Sequence, residues 1–172
     1  YEWQAAYRTK DGEIHIIPNN NAAKQVDQGL NSALWKAIMP DGLLVEPGTP
    51  GTLKWDYLAA PTTDAQFRLN NTIEFPQADE TPYGSMSFAA LTAAAGVNVP
   101  EILKVLCLFP NDPGGDYGSD RVYMRNLGER LAYRGGAWYH TSSAGVFFAY
   151  GGHPRSYAST YIGFRSAYIP GI

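Results

Sequence analysis

The stretch Arg134-Gly-Gly-Ala-Trp138-Tyr-His-Thr-Ser-Ser-Ala144-Gly-Val-Phe147, continued through Pro154-Arg155-Ser156 to Ile162-Gly163-Phe164-Arg165, decides how the chain is read. From Gly135 to Ile172 there is no Asp, Glu, Asn, Gln, Lys, Met, Cys or Leu, while tyrosine recurs as Tyr139, Tyr150, Tyr157, Tyr161 and Tyr168. Tyrosine offers a large apolar face and one hydroxyl at low side-chain entropy cost, and Ser and Gly beside it adapt, so this composition belongs to a binding surface rather than a core. Over Arg155 to Ile162, strand alternation places Arg155, Tyr157, Ser159 and Tyr161 on one face and Ser156, Ala158, Thr160 and Ile162 on the other. Period alone leaves two readings open: a presented ligand surface, or a half-buried sheet face or subunit contact.

Gly128-Glu129-Arg130-Leu131, Arg134-Gly135-Gly136-x-Trp138, Ala144-Gly145-Val146-Phe147, Pro154-Arg155-Ser156 and Ile162-Gly163-Phe164-Arg165 together resemble the C-terminus of phage tail-fibre and retroelement-diversified receptor-binding proteins. The match is specific over roughly the last third of the chain, weaker from Trp55 to Pro113, and absent before Gly48. The resemblance implies an α+β chain with a C-type lectin fold of the formylglycine-generating-enzyme type, built of short helices, small antiparallel sheets and much irregular loop. It implies that the quoted residues form a fixed frame and that the positions between them vary by adenine-directed mutagenesis of Asn codons. Those positions are Tyr139, His140, Ser143, Tyr150, Gly152, His153, Tyr157, Ser159 and Tyr161, the candidate ligand-binding residues. Lys, Glu, Gln, Met and Trp cannot be reached from an Asn codon by that route, and none occurs from Tyr139 to Tyr161.

Length, charge and cysteine count bound the alternatives. A chain of 172 residues is long enough to bury a real core, as one domain with an extension or as two small units. Of 13 Lys and Arg and 16 Asp and Glu, only Arg134, Arg155 and Arg165 lie from Arg134 onward, and no acid does. No basic patch points to nucleic acid. Cys107, the one cysteine, sits in the apolar run Ile102 to Phe109 and reads as a buried, inert thiol. No segment reads as a secretory leader and no apolar run approaches ~20 residues, so membrane insertion is not expected.

The clearest boundary is Pro47-Gly48-Thr49-Pro50-Gly51, which can continue neither a helix nor a central strand. It divides the chain into an N-terminal extension, residues 1–51, and a ligand-binding domain, residues 52–172. In the extension Glu13 to Ile16 alternates as a strand, and Asn19 to Asn21 can cap an amphipathic helix. That helix carries Val26, Leu30, Ala33, Leu34, Ala37 and Ile38 on one stripe and stops at Pro40. In the domain, Thr52 to Leu58, Gln66 to Phe75 and Arg121 to Arg125 read as extended. Ser85 to Ala95 reads as a helix, and a short helix from Pro100 ends before Phe109-Pro110.

Chemistry is weakly signalled. His15, His140 and His153 have no metal-ligand spacing, and the carboxylates between Asp112 and Asp120 match neither an EF-hand nor a calcium-dependent lectin, so no metal and no cofactor is expected. Ser142 and Ser143 lie near His140, but no local Asp orients that imidazole and no Gly-x-Ser-x-Gly elbow exists, so no catalytic residue is assigned. Formylglycine-generating enzymes use C-terminal cysteines, and this chain has none after Cys107. Arg130, Arg134 and Arg165 are expected to brace the loops by pairing with Glu129 or backbone carbonyls. Trp138, Phe147 and Phe164 are expected to fill the core. The functional expectation is a receptor-binding protein, on a phage tail fibre within a virion or on a bacterial cell surface, that meets a host-surface protein or glycan and self-associates, as a trimer. A formylglycine-generating-type enzyme and a structural tail protein without a ligand are the other two readings.

Overall fold

The computed structural model describes residues 2–18 and 25–163. Their backbone hydrogen bonds are gathered into one 11-stranded sheet. The strands are β1 (Glu2–Lys10), β2 (Glu13–Ile16), β3 (Lys36–Ile38), β4 (Leu44–Val45), β5 (Lys54–Tyr57), β6 (Thr63–Ala65), β7 (Phe67–Asn70), β8 (Tyr83–Ser87), β9 (Arg121–Met124), β10 (Glu129–Arg134) and β11 (Ala149–His153). The order across the sheet is β4-β3-β2-β1-β10-β11-β9-β8-β6, with β5 pairing β2 and β7. The β11–β9 and β6–β8 pairs are parallel and the others antiparallel.

This corrects the α+β, C-type lectin expectation. The chain is sheet-dominated and mixed, and helix among the described residues amounts to α1 (Glu101–Val105) and short 3-10 turns. α1 stops because Cys107 takes φ 53° and the amides of Leu108 and Phe109 both turn back to the Leu103 carbonyl. Two expected helices are replaced. The expected cap Asn19 to Asn21 and residues 22–24 lie outside the described residues; of the rest of the stretch read as amphipathic, Gln25–Gln28 forms a 3-10 turn and Lys36–Ile38 is a strand between β2 and β4, with Ala37 and Ile38 fully buried. Ser85 to Ala95 contributes β8 and one 3-10 turn, Phe88–Ala90, because Ser85 and Met86 pair with Tyr123 and Val122. In each case ladder bonds with a distant strand outweigh local helical period, a weak prior against tertiary contact.

Sheet bonding also runs across the Pro-Gly stretch. β1 to β4 precede it, yet β1 pairs β10 and Glu13 of β2 pairs Lys54 of β5. The β1–β2 hairpin is closed by Asp11-Gly12 at φ 48° and 80°, the two-residue turn whose twist suits antiparallel strands. Gly12 is required there, since a Cβ would lie 2.8 Å from the Trp55 carbonyl oxygen. The core joins Ile14, Ile38, Leu53, Trp55, Tyr57, Phe67, Leu69, Phe88, Leu103 and Met124.

Candidate ligand-binding surface

β10 delivers the chain to Gly135 and Gly136, both at positive φ (83° and 68°), and the backbone then makes a 3-10 segment, Trp138–Ser143. A Cβ on Gly136 would fall 2.2 Å from that of Ala144, so the loop closes on itself only with glycine. Inside it the Ala137 amide donates to His140 Nδ1 at 3.0 Å, the His140 amide donates to the Ala137 carbonyl at 2.9 Å, and Ser143 Oγ donates to the His140 carbonyl at 2.6 Å. At the apex Thr141 sits at φ 48°, ψ −123°, a conformation that costs a non-glycine residue about 1–3 kcal/mol and is found where structure over-determines it. Asp120 fixes the return: its Oδ2 accepts the Phe147 amide at 2.8 Å, and its Oδ1 lies 2.6 Å from where a Gly145 Cβ would be. Gly136, Ala144 and Gly145 are thus steric requirements of this loop.

From this loop the aromatic side chains form a closed circuit. Tyr123 of β9 contacts Phe148 (centroids 5.8 Å apart), Phe148 contacts His140 (5.0 Å), and His140 contacts Tyr139 (4.5 Å). Tyr139 stands perpendicular to Tyr161 (5.8 Å), and the Tyr161 hydroxyl meets that of Tyr157 at 2.6 Å. Tyr157 stacks on His153 (3.6 Å), His153 on Tyr150 (4.8 Å), and Tyr150 on Tyr123 (4.9 Å), which closes the ring. Tyr133 of β10 backs it, stacked on Tyr150 at 5.0 Å. Aromatic pairs of this kind add about 0.5–1.5 kcal/mol each beyond area burial.

The protonation states follow from the packing. Burial, reinforced by the Arg125 and Arg130 charges, lowers His153 to about 4, so the stack holds a neutral imidazole at neutral pH. Burial also lowers His140 and raises Tyr150. The hydrogen bond to Tyr161 raises Tyr157, while Ser159 and then Tyr157 lower Tyr161.

Of the nine candidate residues, Tyr139, His140, Tyr150, His153, Tyr157 and Tyr161 lie on this one circuit, with Ser159 beside its two phenols and Ser143 within the loop. Tyr150 and Gly152 are less presented than expected. Tyr150 is wedged between Tyr123 and Tyr133; Gly152 is buried, gives its carbonyl to Arg125 Nη1 at 2.7 Å, and would put a Cβ 2.8 Å from the Tyr150 ring. Arg155 to Ile162 is turn and coil rather than strand, and Tyr157 and Tyr161 meet through a local fold-back. Tyr123, Tyr133 and Phe148 were not singled out from sequence. The signal for Tyr123 was present in Arg121–Met124, where Val122 and Met124 are buried and Tyr123 projects oppositely.

The frame is partly redistributed. Trp138 is 88% exposed, not core; the buried aromatic position goes to Phe148, against which His140 packs, while Phe147 stacks on Phe88 at 5.1 Å. Arg134 donates to the Leu106 and Cys107 carbonyls at 3.1 and 3.0 Å. Arg130 pairs with Glu80, not Glu129. Glu129 instead receives Arg155 (2.7 and 3.0 Å) and Arg8 (2.9 Å), which overcome the upward push of burial and lower its carboxyl. Phe164 and Arg165 lie outside the described residues.

The remaining polar clusters among the described residues have structural partners. The Ser143 hydroxyl bonds the His140 carbonyl and the His140 ring accepts the Ala137 amide at Nδ1. His15 is buried between Arg8, whose Nε donates to Nδ1 at 3.1 Å, and Glu13, which accepts from Nε2 at 2.6 Å. Burial pushes the Glu13 carboxyl up, but bonds from His15, Thr52 and the Gly48 amide outweigh it and bring it to about 2. With its oxygens so occupied, Glu13 ties the Pro-Gly turn to β2. Tyr117 closes the Asp112–Asp120 turn, its hydroxyl donating to Asn111 Oδ1 at 2.6 Å and accepting the Asp112 amide at 2.8 Å. Among the described residues no group of three His, Cys, Asp or Glu could hold a metal ion. No helix among them is long and apolar enough to cross a membrane. No family model matches the chain, and no curated protein does.

Proposed function

We propose that the aromatic face from Trp138 to Tyr161 is a receptor-binding surface and that the chain acts as an adhesin, at a phage tail-fibre tip or as a diversified protein on a bacterial surface, toward a host-surface ligand. The observation that carries this is the convergence of six residues lying between the frame motifs on one continuous aromatic circuit, at a loop whose steric requirements fall on Gly136, Ala144 and Gly145. Such a division, rigid frame and replaceable face, is what a binder that changes its target needs. Binding rather than catalysis is the activity, and repeated copies on one fibre would add avidity.

Fluorescently labelled protein, applied to a panel of intact bacterial strains, tests the reading against a Tyr139→Ser/Tyr157→Ser/Tyr161→Ser protein shown to be folded by circular dichroism. Loss of labelling by the triple variant is expected. Equal labelling by both would move recognition elsewhere. Formylglycine production from a Cys-x-Pro-x-Arg peptide with copper would replace it with the enzymatic reading.

A further inference from the structure

Trp138 and Val146 belong to the frame motifs and not to the positions between them, yet they are 88% and 78% exposed, among the most exposed large apolar side chains described. Trp138 lies two residues after Gly136 and Val146 two residues after Ala144, the two positions whose close approach closes the loop. Trp138 stands edge-on to Tyr139 at 5.6 Å, and Tyr139 in turn to Tyr161, so the indole continues the aromatic circuit outward. The strained Thr141 backbone lies at the same apex. An indole this exposed offers on the order of 200 Å², about a quarter of the ~800 Å² that each partner gives to a standard protein interface. Leaving it in water has no benefit to folding, and central, rimmed Trp and Tyr side chains are those that dominate protein–protein affinity.

We propose, building on the receptor-binding reading, that Trp138, with Val146 as a second exposed apolar contact, is a constant anchor beside the aromatic circuit, that its occupant is a protein bearing an apolar recess, and that Tyr139, His140, Tyr157, Ser159 and Tyr161 next to it select which protein. The chemistry favours a protein over a glycan. From Gly135 to Gly163 there is no Asp, Glu, Asn or Gln, the planar side chains that grip neighbouring sugar hydroxyls in pairs, and the isopropyl group of Val146 has only dispersion to give. It also disfavours polyanions: Arg155, the only Lys or Arg of that stretch, is tied to Glu129, Arg134 just before it is tied to backbone carbonyls, and His153 is neutral.

The test uses the full chain displayed on yeast, with positions 139, 140, 143, 157, 159 and 161 randomised, in one library that keeps Trp138 and Val146 and one that carries Trp138→Ser/Val146→Ser. Both are panned on immobilised lysozyme and on dextran, with display level and thermal melting confirming that both scaffolds fold. Recovery of lysozyme binders about tenfold or more above the Ser/Ser library is the expected result. Equal recovery from the two libraries overturns the anchor while leaving the surface reading intact. No binder from either overturns both, and preferential recovery on dextran overturns the protein partner. Sedimentation of the unrandomised protein completes the test: a dimer abolished by Trp138→Ser would show that a second copy occupies the patch, and overturns the proposal, whereas an association state unchanged by that substitution supports it.

Discussion

The His153 imidazole lies flat on the Tyr157 ring, centroids 3.6 Å apart and planes 9° from parallel, with Tyr150 on its other side. That sandwich joins the sheet strand β11 to the irregular segment after it, so the presented phenols of Tyr157 and Tyr161 are held by a histidine whose charge state is set by its surroundings.

Acid should loosen it in a defined window. His153 is lowered from 6.5 to about 4 in the folded protein, so between those values the unfolded chain binds the proton and the folded chain does not. Stability therefore falls as pH drops from about 6.5 toward 4, and His153 contributes no further loss below that. Glu13, lowered from 4.5 to about 2, contributes a second loss only below 4.5. Thermal melts of the wild type and His153→Gln across pH 3 to 8 separate the two: the variant should show a shallower slope between about 6.5 and 4, keeping only the share of His140, which burial also lowers, and should keep the loss below 4.5.

Trp138→Ala should change stability by no more than ~0.5 kcal/mol, since the side chain is solvated. Tyr133→Ala, at a fully packed ring, should cost about 3–5 kcal/mol. Urea unfolding of both variants checks this; a multi-kcal/mol loss at Trp138 would return that indole to the core.

The four tyrosines of the face are not equivalent. Tyr150→Ser removes a ring stacked on both Tyr123 and Tyr133 and should cost about 2–4 kcal/mol. Tyr157→Ser/Tyr161→Ser together should cost about 1 kcal/mol, from one phenol pair and one stack. Equal midpoints in urea for the two variants would contradict this ranking.

Gly136→Ala should destabilise by about 2 kcal/mol or more, because it combines positive φ with a Cβ–Cβ overlap. Gly135→Ala meets only the positive-φ cost of about 1 kcal/mol, since nothing lies within 4 Å of its Cβ position. Calorimetric melts of the pair, showing the larger drop for Gly136, would place the loop closure where Ala144 meets it.

Attachment through rings and hydroxyls should vary less than about twofold between 0.1 and 0.5 M salt, because no carboxylate and no unpaired guanidinium of the described stretch takes part. Self-association follows from the adhesin reading. A species larger than one chain is expected in light scattering at high concentration, and a strict monomer would remove that element.

The chain alone marked out a Tyr-, Ser- and Gly-rich segment and the glycines and prolines that punctuate it. A segment without acids or amides, spaced by Gly135-Gly136, Ala144-Gly145 and Pro154-Arg155, is legible because composition and turn chemistry act locally. The strands at Glu13, Thr52, Gln66 and Arg121 and the helix after Pro100 were legible for the same reason, and Asp11-Gly12 carried an unused hairpin signal. Tertiary structure decided the rest. Lys36 to Ile38 and Ser85 to Ser87 have helical or ambiguous period, and only pairing with β2 and β9 makes them strands. Trp138 and Phe148 are both aromatic and ten residues apart, and nothing local ranks one for burial; in the folded chain Phe148 is fully buried against Tyr123 and His140 while Trp138 stands in solvent. The single mixed sheet depends on β1 meeting β10 across some 120 residues, a long-range choice made by mutual burial and ladder hydrogen bonds, which no window of sequence contains.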